Sequence, residues 1–94
     1  MAFEWDEAKR RANLRKHGVD FATALEFQWE NAQVTADDRV DYGEERFIAL
    51  GLYRGRVHIV IYTEYGPIRR IISIRKATRQ ETRTYEEEDE KNRP

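Results

Sequence analysis

The spacing of apolar and polar residues predicts two helices in the N-terminal part of the chain. Residues 6–17 (DEAKRRANLRKH) are rich in helix-forming residues, with Asp6 as a candidate N-cap and Gly18 as a C-terminal stop. Residues 19–27 (VDFATALEF) carry apolar positions at helical spacing after Asp20, a second candidate cap. We therefore expect a longer helix followed by a short one.

The pattern changes to a period of two from Arg46 onward. Three β-branched or aromatic runs follow one another, RFIALGLY, RVHIVIYTEY and IRRIISIRK. They are joined by Arg54-Gly55 and Gly66-Pro67, which are short enough to be tight turns. Because parallel neighbours would need long crossovers, these runs predict an antiparallel meander. The segment AQVTADD is a further strand candidate.

A capping-box pattern then opens a C-terminal helix. Thr78 and Glu81 have the T-x-x-E spacing, and the helix is expected to run to about Tyr85 or beyond. Acidic residues near its end oppose the helix dipole, so residues 88–94 are expected to form a mobile tail. The whole pattern predicts one α+β domain over residues 1–87. It would have an antiparallel sheet of three to four strands, two N-terminal helices and one C-terminal helix.

The composition narrows the classes of function. The 94 residues contain no cysteine, which excludes disulfides and thiolate chemistry and fits a reducing cytoplasm. The chain begins without a signal-peptide pattern and has no transmembrane-length apolar run, so a soluble cytoplasmic protein without membrane contact is expected. The net charge is -1, but residues 67–85 hold six basic residues against one acid, Glu81. Such asymmetry indicates a basic working surface, although clustering by chance is also consistent with it.

Several kinds of site are absent from the sequence. It contains neither a P-loop nor a dinucleotide-binding glycine motif, and no serine lies in a nucleophile-elbow motif. His17 and His58 have no histidine neighbour at metal-ligand spacing, so neither a metal nor a cofactor is expected. The remaining class of function is metal-independent action on a polyanion.

Strict alternation sorts the strand residues into two faces. The aliphatic sets Val57, Ile59, Ile61 and Ile72, Ile74 are expected to pack under the helices. The opposite face would collect an imidazole, a phenol, a hydroxyl and two guanidinium groups, from His58, Tyr62, Ser73, Arg69 and Arg75. Arg70 falls on the aliphatic face unless the strand twists or bulges.

Each candidate also has a purely structural interpretation. His58 and Tyr62 are compatible with packing roles on a sheet. Ser73 is compatible with a polar position on a solvent-exposed strand face. The capping box already accounts for Glu81. Arg46 is as well placed to pair with Glu44 or Glu45 as to reach the polar face.

Three separated segments resemble the BrnT family, the toxins of a bacterial type II toxin–antitoxin system. They are FEWDEAKRRANLRKHGVDFATA (Phe3–Ala24), GEERFIALG (Gly43–Gly51) and RIISIRKATRQETRTYEE (Arg70–Glu87). The resemblance implies a RelE-like ribonuclease fold, RNA as substrate and growth inhibition. It also implies a cognate BrnA-like antitoxin, through which alone the toxin would be linked to operator DNA. The active region implied by the family is the end of the last strand and the following helix, here Ile72, Ser73, Arg75, Ala77 and Glu81.

Cleavage by attack of the ribose 2′-OH on phosphorus requires proton transfer and stabilisation of a pentacoordinate phosphorane. The catalytic candidates are Arg46, His58, Tyr62, Arg70, Ser73, Arg75 and Glu81, with the arginines stabilising charge and His58, Tyr62 or Glu81 moving protons. The RNA-binding candidates are Arg69, Lys76, Arg79 and Arg83. Two alternatives stay open: a non-catalytic module that binds nucleic acid or a partner through the same basic face, and an inactive toxin that still binds its antitoxin.

Overall fold

In the computed structural model, which describes residues 2–92, a five-stranded mixed sheet forms the centre of the domain. The elements in chain order are β1 (Ala2–Trp5), α1 (Glu7–His17), 3-10 turns at Phe21–Leu25 and Trp29–Asn31, β2 (Gln33–Ala36), β3 (Phe47–Tyr53), β4 (Arg56–Tyr65), β5 (Ile68–Lys76) and α2 (Arg79–Lys91). The strand order across the sheet is β1-β5-β4-β3-β2. All neighbouring strands are antiparallel except β1, which runs parallel to β5.

The predicted sheet of three to four antiparallel strands was wrong because it omitted β1. Ala2 lies opposite Ile68 and Trp5 lies opposite Ile71 in a parallel ladder. Four residues contain too little alternation to indicate a strand, and their partner strand is far away in sequence. Only the folded chain reveals this pairing.

The prediction of two N-terminal helices was also wrong, because the second is a 3-10 segment of five residues, Phe21–Leu25, and not an α-helix. Asp20 caps it by accepting a hydrogen bond from the Ala22 amide. The Trp29 indole Nε1 donates to the Ala24 carbonyl at 2.9 Å, which occupies an acceptor that a continuing helix would use. The turn instead delivers Phe21 and Ala24, both fully buried, to the core.

Local signals elsewhere were confirmed. Asp6 caps α1 by accepting from the Lys9 amide, and Gly18 ends the helix in the left-handed region at φ 72°. The capping box of Thr78 and Glu81 opens α2. This helix continues to Lys91, so residues 88–91 of the expected tail are helical, while residues 93–94 lie outside the described part of the chain.

A β-bulge in β5 determines which side chains share a face. Ile61 lies opposite Ser73 but Tyr62 lies opposite Ile71, so Ile72 is an extra residue. Since opposed residues of antiparallel strands point to the same side, Ile71 and Ile74 both join Tyr62 on one face. We call this the core face.

The core face packs under the N-terminal segments, which corrects the predicted assignment of the two faces. Val60, Tyr62, Ile71 and Ile74 are buried there in one cluster with residues from Val19 to Phe27. Val57 and Ile59 are buried on the opposite face, where α2 contributes the buried Tyr85. In β4 the alternation held, and the error was the choice of the side that faces the main core. In β5 strict alternation failed because it could not register the bulge at Ile72.

Candidate functional site

The bulge brings three polar residues of β5 to the same side of the sheet. Arg70 lies opposite Thr63, Ser73 opposite Ile61 and Arg75 opposite Ile59, all on the side away from the core face. We call this side the arginine face. Ser73 and Arg75 are successive same-side residues, roughly 6.6 Å apart, and Arg70 lies beyond the bulge, so the three form a polar row along β5. The sequence allowed Arg70 on this face only if the strand bulged, and it does.

Arg46 also lies on the arginine face, directly before β3, with β4 between it and β5. It directly precedes Phe47, which opposes Tyr62 on the core face, so alternation turns Arg46 the other way. Its guanidinium lies over the Tyr42 ring at 4.0 Å and forms an ion pair with Glu44 at 3.2 Å. Arg46 is therefore held in place by an aromatic ring and a carboxylate.

Arg75 and Glu81 form a bidentate pair that joins β5 to the first turn of α2. Arg75 Nη1 and Nη2 donate to the two Glu81 carboxylate oxygens at 2.8 and 2.9 Å. The pair with Arg75, with help from the Thr78 amide, lowers the pKa of Glu81 from 4.5 to about 2. The pKa of Arg75 is raised by the same contact. Glu81 is thus ionised at all physiological pH values and fixes the plane of the Arg75 guanidinium.

Arg70 completes a set of three arginines that each have a carboxylate partner. Its Nη1 donates to Glu4 of β1 at 3.0 Å. Both side chains of this pair are about two-fifths exposed, at 37% and 43%. Exposed pairs of this kind are worth little in water, so a phosphate can displace the carboxylate at small cost.

The loop between β2 and β3 is ordered by a buried carboxylate. Asp37 accepts from Arg39 Nε at 2.7 Å and Nη2 at 2.8 Å, and from the Tyr42 hydroxyl at 3.3 Å. These contacts, led by the hydrogen bond from Arg39, lower the pKa of Asp37 to about 2. Arg39 is close enough to Arg75 for the two positive charges to repel each other, which acts to lower the pKa of Arg75. The loop therefore adds one further cation beside the arginine face.

A shallow cavity of about 230 Å³, widely open to solvent, lies between α1 and β5 beside this row. Lys9, Lys16 and His17 line it from the helix, and Ser73 lines it from the strand. Asn13 holds the two elements together, since its side-chain amide donates to the carbonyls of Val19 and Ile74 and its oxygen accepts from the Ile74 amide and the Ser73 hydroxyl. We call this cavity the α1–β5 pocket.

Sequence reasoning missed the α1–β5 pocket. The basic residues of α1 were interpreted as scattered around a solvated helix, and His17 was considered only as a metal ligand. The usable signal was the spacing of the helix residues that line the pocket, which are Lys9, Ala12, Asn13, Lys16 and His17. Positions i, i+3, i+4, i+7 and i+8 lie on one face of a helix.

Four predicted site residues lie on the other side of the sheet. His58 and Tyr62 are 3% and 2% exposed, and burial lowers the pKa of His58 and raises that of Tyr62. Arg69 lies over the Trp29 ring at 4.3 Å and pairs with Glu64. Lys76 opposes His58 and is exposed. The structure does not bring these four together with Ser73 and Arg75.

The two remaining candidates lie on α2. Arg79 and Arg83 are exposed, and Arg79 lines an open cleft of about 710 Å³ together with Val57 and Tyr85. Within residues 2–92, no group of three or more His, Cys, Asp or Glu side chains is arranged to hold a metal ion. No helix in that range has the length and apolarity needed to cross a membrane.

Comparison with known families gives one match. The model of the family described as "Ribonuclease toxin, BrnT, of type II toxin-antitoxin system" matches residues 5–81. The matched region contains α1, all of β2 to β5 and the first turn of α2, and thus Arg46, Arg70, Ser73, Arg75 and Glu81. A comparison with curated proteins returned no match.

Proposed function

The chain belongs to the BrnT family of type II toxin–antitoxin ribonuclease toxins, and from this premise we propose that it cleaves RNA on the arginine face without a metal ion. RNA is the substrate class and an antitoxin the partner class of this family. The observation that carries the proposal is that Arg46, Arg70, Ser73 and Arg75 share one side of the sheet, with Glu81 bound to Arg75.

The proposed reaction is an internal transesterification. The ribose 2′-OH loses its proton and its oxygen bonds to the adjacent phosphorus, while the bond from phosphorus to the 5′-oxygen breaks. The products are a 2′,3′-cyclic phosphate and a 5′-hydroxyl, which takes up a proton. The negative charge that builds up on the equatorial oxygens requires fixed donors, and guanidinium groups can grip two such oxygens at once.

Arg75 is proposed to bind the scissile phosphate. Glu81 orients its guanidinium group before the substrate arrives, through two hydrogen bonds of 2.8 and 2.9 Å. A phosphate that takes over these donors leaves the Glu81 carboxylate without its main partner, and its pKa then rises toward the ordinary value. The ionised carboxylate is thereby activated as the base that accepts the 2′-OH proton. His58 and Tyr62 have no part in this proposal, because both are buried on the core face.

The remaining basic residues are proposed to hold the RNA backbone on either side of the cut. Arg46 and Arg70 exchange exposed carboxylate partners for phosphates, and the Ser73 hydroxyl contacts the sugar–phosphate chain. Arg79 and Arg83, exposed on α2, steer the strand toward Arg75. Residues 1–87 are the unit that carries this function.

The biological setting is proposed from the family. A BrnA-like antitoxin neutralises the toxin, which reaches operator DNA only through that antitoxin. Unneutralised toxin inhibits growth by cutting RNA in the cytoplasm. Expression with and without a BrnA-like partner tests this part, and equal growth in both cases would contradict it.

The test of activity uses purified toxin and end-labelled RNA in excess EDTA. Wild type is expected to give fragments ending in 2′,3′-cyclic phosphate, and Arg75→Ala to lose at least a hundredfold in rate, because one phosphate-binding donor group is typically worth that much. Arg11→Ala is the matched control, since Arg11 is an exposed arginine that does not line the α1–β5 pocket. Circular dichroism verifies that both variants are folded.

Two outcomes would count against the proposal. Activity that appears only when a divalent metal is restored would contradict metal independence. RNA that is bound but never cut would favour the non-catalytic binding module, which uses the same basic face.

A further inference from the structure

The α1–β5 pocket contains cations that differ from the arginines beside it. Arg46, Arg70 and Arg75 each have a carboxylate partner. Among the described residues, by contrast, neither Lys9 nor Lys16 forms an ion pair. Lys9 has the carboxylates of Asp6 and Glu44 in its vicinity but is in an ion pair with neither. An anion in the cavity would therefore lie beside two ammonium groups that are free to contact it.

The third titratable group of the pocket is the imidazole of His17. The pKa of His17 is lowered by burial first, and then by the charges of Lys16 and Arg75. Charges therefore act on His17 from both elements, Lys16 from α1 and Arg75 from β5; both are positive, and Arg75 is paired with Glu81. A negative charge bound nearby would offset these cations and favour the protonated imidazole.

The structural role of α1 explains only part of this arrangement. Lys16 and His17 lie in the last turn of the helix, where positive charge favours the helix dipole. That argument does not apply to Lys9, which lies about two turns earlier on the same helix face. Three hydrogen bonds of Asn13 fix this face against β5, and a fourth ties it to Val19 just beyond the helix, so the helix wall of the cavity is held in place.

We propose that the α1–β5 pocket is a second phosphate site, which binds a backbone phosphate of the RNA next to the one held by Arg75. The inference rests on the proposed function, since it assumes that RNA lies along the arginine face. The volume of about 230 Å³ is several times the roughly 30 Å³ share of one water molecule, which leaves room for a phosphate group. Ser73 borders both sites and marks the path between them.

The first test measures the two histidines by NMR. The chain contains only His17 and His58, so one spectrum holds both the probe and its internal control. The ligand is a short 2′-O-methyl RNA, which cannot be cleaved by 2′-OH attack. Bound phosphate is expected to raise the pKa of His17 by about one, which corresponds to roughly tenfold tighter binding of the protonated form. His58, buried on the core face, is expected to stay unchanged.

A second arm distinguishes the source of the phosphate. Inorganic phosphate is expected to shift His17 in the same direction, but only at concentrations at least tenfold above that of the RNA. If inorganic phosphate is as effective as the RNA, the pocket is a site for free anions and the proposal is wrong. An unchanged His17 in saturating RNA, or equal shifts of both histidines, also overturns it.

Variants then test the lysines directly. Lys9→Met and Lys16→Met keep the length and apolar stem of the side chain but remove the charge, while Arg11→Met is the matched control outside the pocket. The double lysine variant is expected to bind the 2′-O-methyl RNA at least tenfold more weakly. The slope of log affinity against log salt is expected to fall by about 0.7 for the one lost single-strand phosphate contact.

The two proposals fail separately. If wild type cuts RNA and the double lysine variant binds and cuts equally well, the pocket proposal falls and the ribonuclease proposal stands. If wild type never cuts RNA but binds it with the expected shift of His17, catalysis on the arginine face falls and the second phosphate site stands.

Discussion

Replacing Glu81 by glutamine tests the coupling between β5 and α2. The substitution removes the negative charge opposite Arg75 but keeps a side-chain oxygen that can accept from the Thr78 amide. The capping box is thereby conserved in form, while the bidentate ion pair is lost. The difference in stability between wild type and Glu81→Gln therefore measures the contribution of the Glu81 charge.

The magnitude follows from the pKa of Glu81. A lowering from 4.5 to about 2 sets an upper limit of about 3 kcal/mol on the stabilisation by the ionised carboxylate. Both side chains are about one-third exposed, Arg75 at 34% and Glu81 at 30%, so solvent screens the interaction. After that discount we expect Glu81→Gln to lower the free energy of unfolding by about 1–2 kcal/mol at pH 7.

The sign of the pH dependence follows from the direction of the pKa shift. A carboxyl group whose pKa is lowered on folding stabilises the native state fully above its unfolded pKa, here 4.5. That stabilisation declines as the pH falls and is absent below the folded value of about 2. The difference between wild type and Glu81→Gln should therefore narrow between pH 4.5 and pH 2.

Urea unfolding followed by tryptophan fluorescence measures this difference at each pH. A double-mutant cycle with Arg75→Met at pH 7 separates the pair from effects of each residue alone, and its coupling energy should also be about 1–2 kcal/mol. The reasoning is refuted if Glu81→Gln is as stable as wild type at pH 7, or if the difference does not change down to pH 3.

Three further perturbations address the remaining packing and charge arguments. Gly51→Ala places a Cβ 2.6 Å from Phe27 Cζ, so we expect a loss of about 1–3 kcal/mol in urea unfolding, and a loss below 0.5 kcal/mol would contradict the packing. Asn13→Ala leaves the Ile74 amide and carbonyl without their side-chain partner, and should cost about 2–4 kcal/mol in the same assay. Arg70→Ala should cost under about 1 kcal/mol, because the pair with Glu4 is exposed, yet lower the salt slope of RNA binding by about 0.7; an unchanged slope would remove Arg70 from the RNA path.

The sequence by itself determined the features that depend on neighbouring residues. The caps at Asp6 and Gly18 and the capping box at Thr78 were recognisable because each uses hydrogen bonds within a few positions. The turn at Arg54-Gly55 was recognisable in the same way, and both of its residues have positive φ. These local signals form the same caps and turns independently of contacts with distant parts of the chain.

The sequence also indicated part of the candidate site. Arg75, Ser73 and Glu81 were identified as candidates from the motif at the end of β5. In the structure Arg75 binds Glu81, and Ser73 lies on the same side of β5 as Arg75. Arg70 was placed only conditionally, because its face depends on a bulge that arises from the pairing of two strands. Periodicity within one strand carries no information on that pairing.

Only the tertiary structure decided the two faces of the sheet and the pocket beside it. The extra residue Ile72 reverses the alternation of β5, which brings Arg70 beside Ser73, while the core buries His58 and Tyr62 on the far side. The parallel pairing of β1 with β5 is equally invisible in four residues. Such features are set by which surfaces exclude water and by the register between distant strands, so they emerge only when the whole chain has packed.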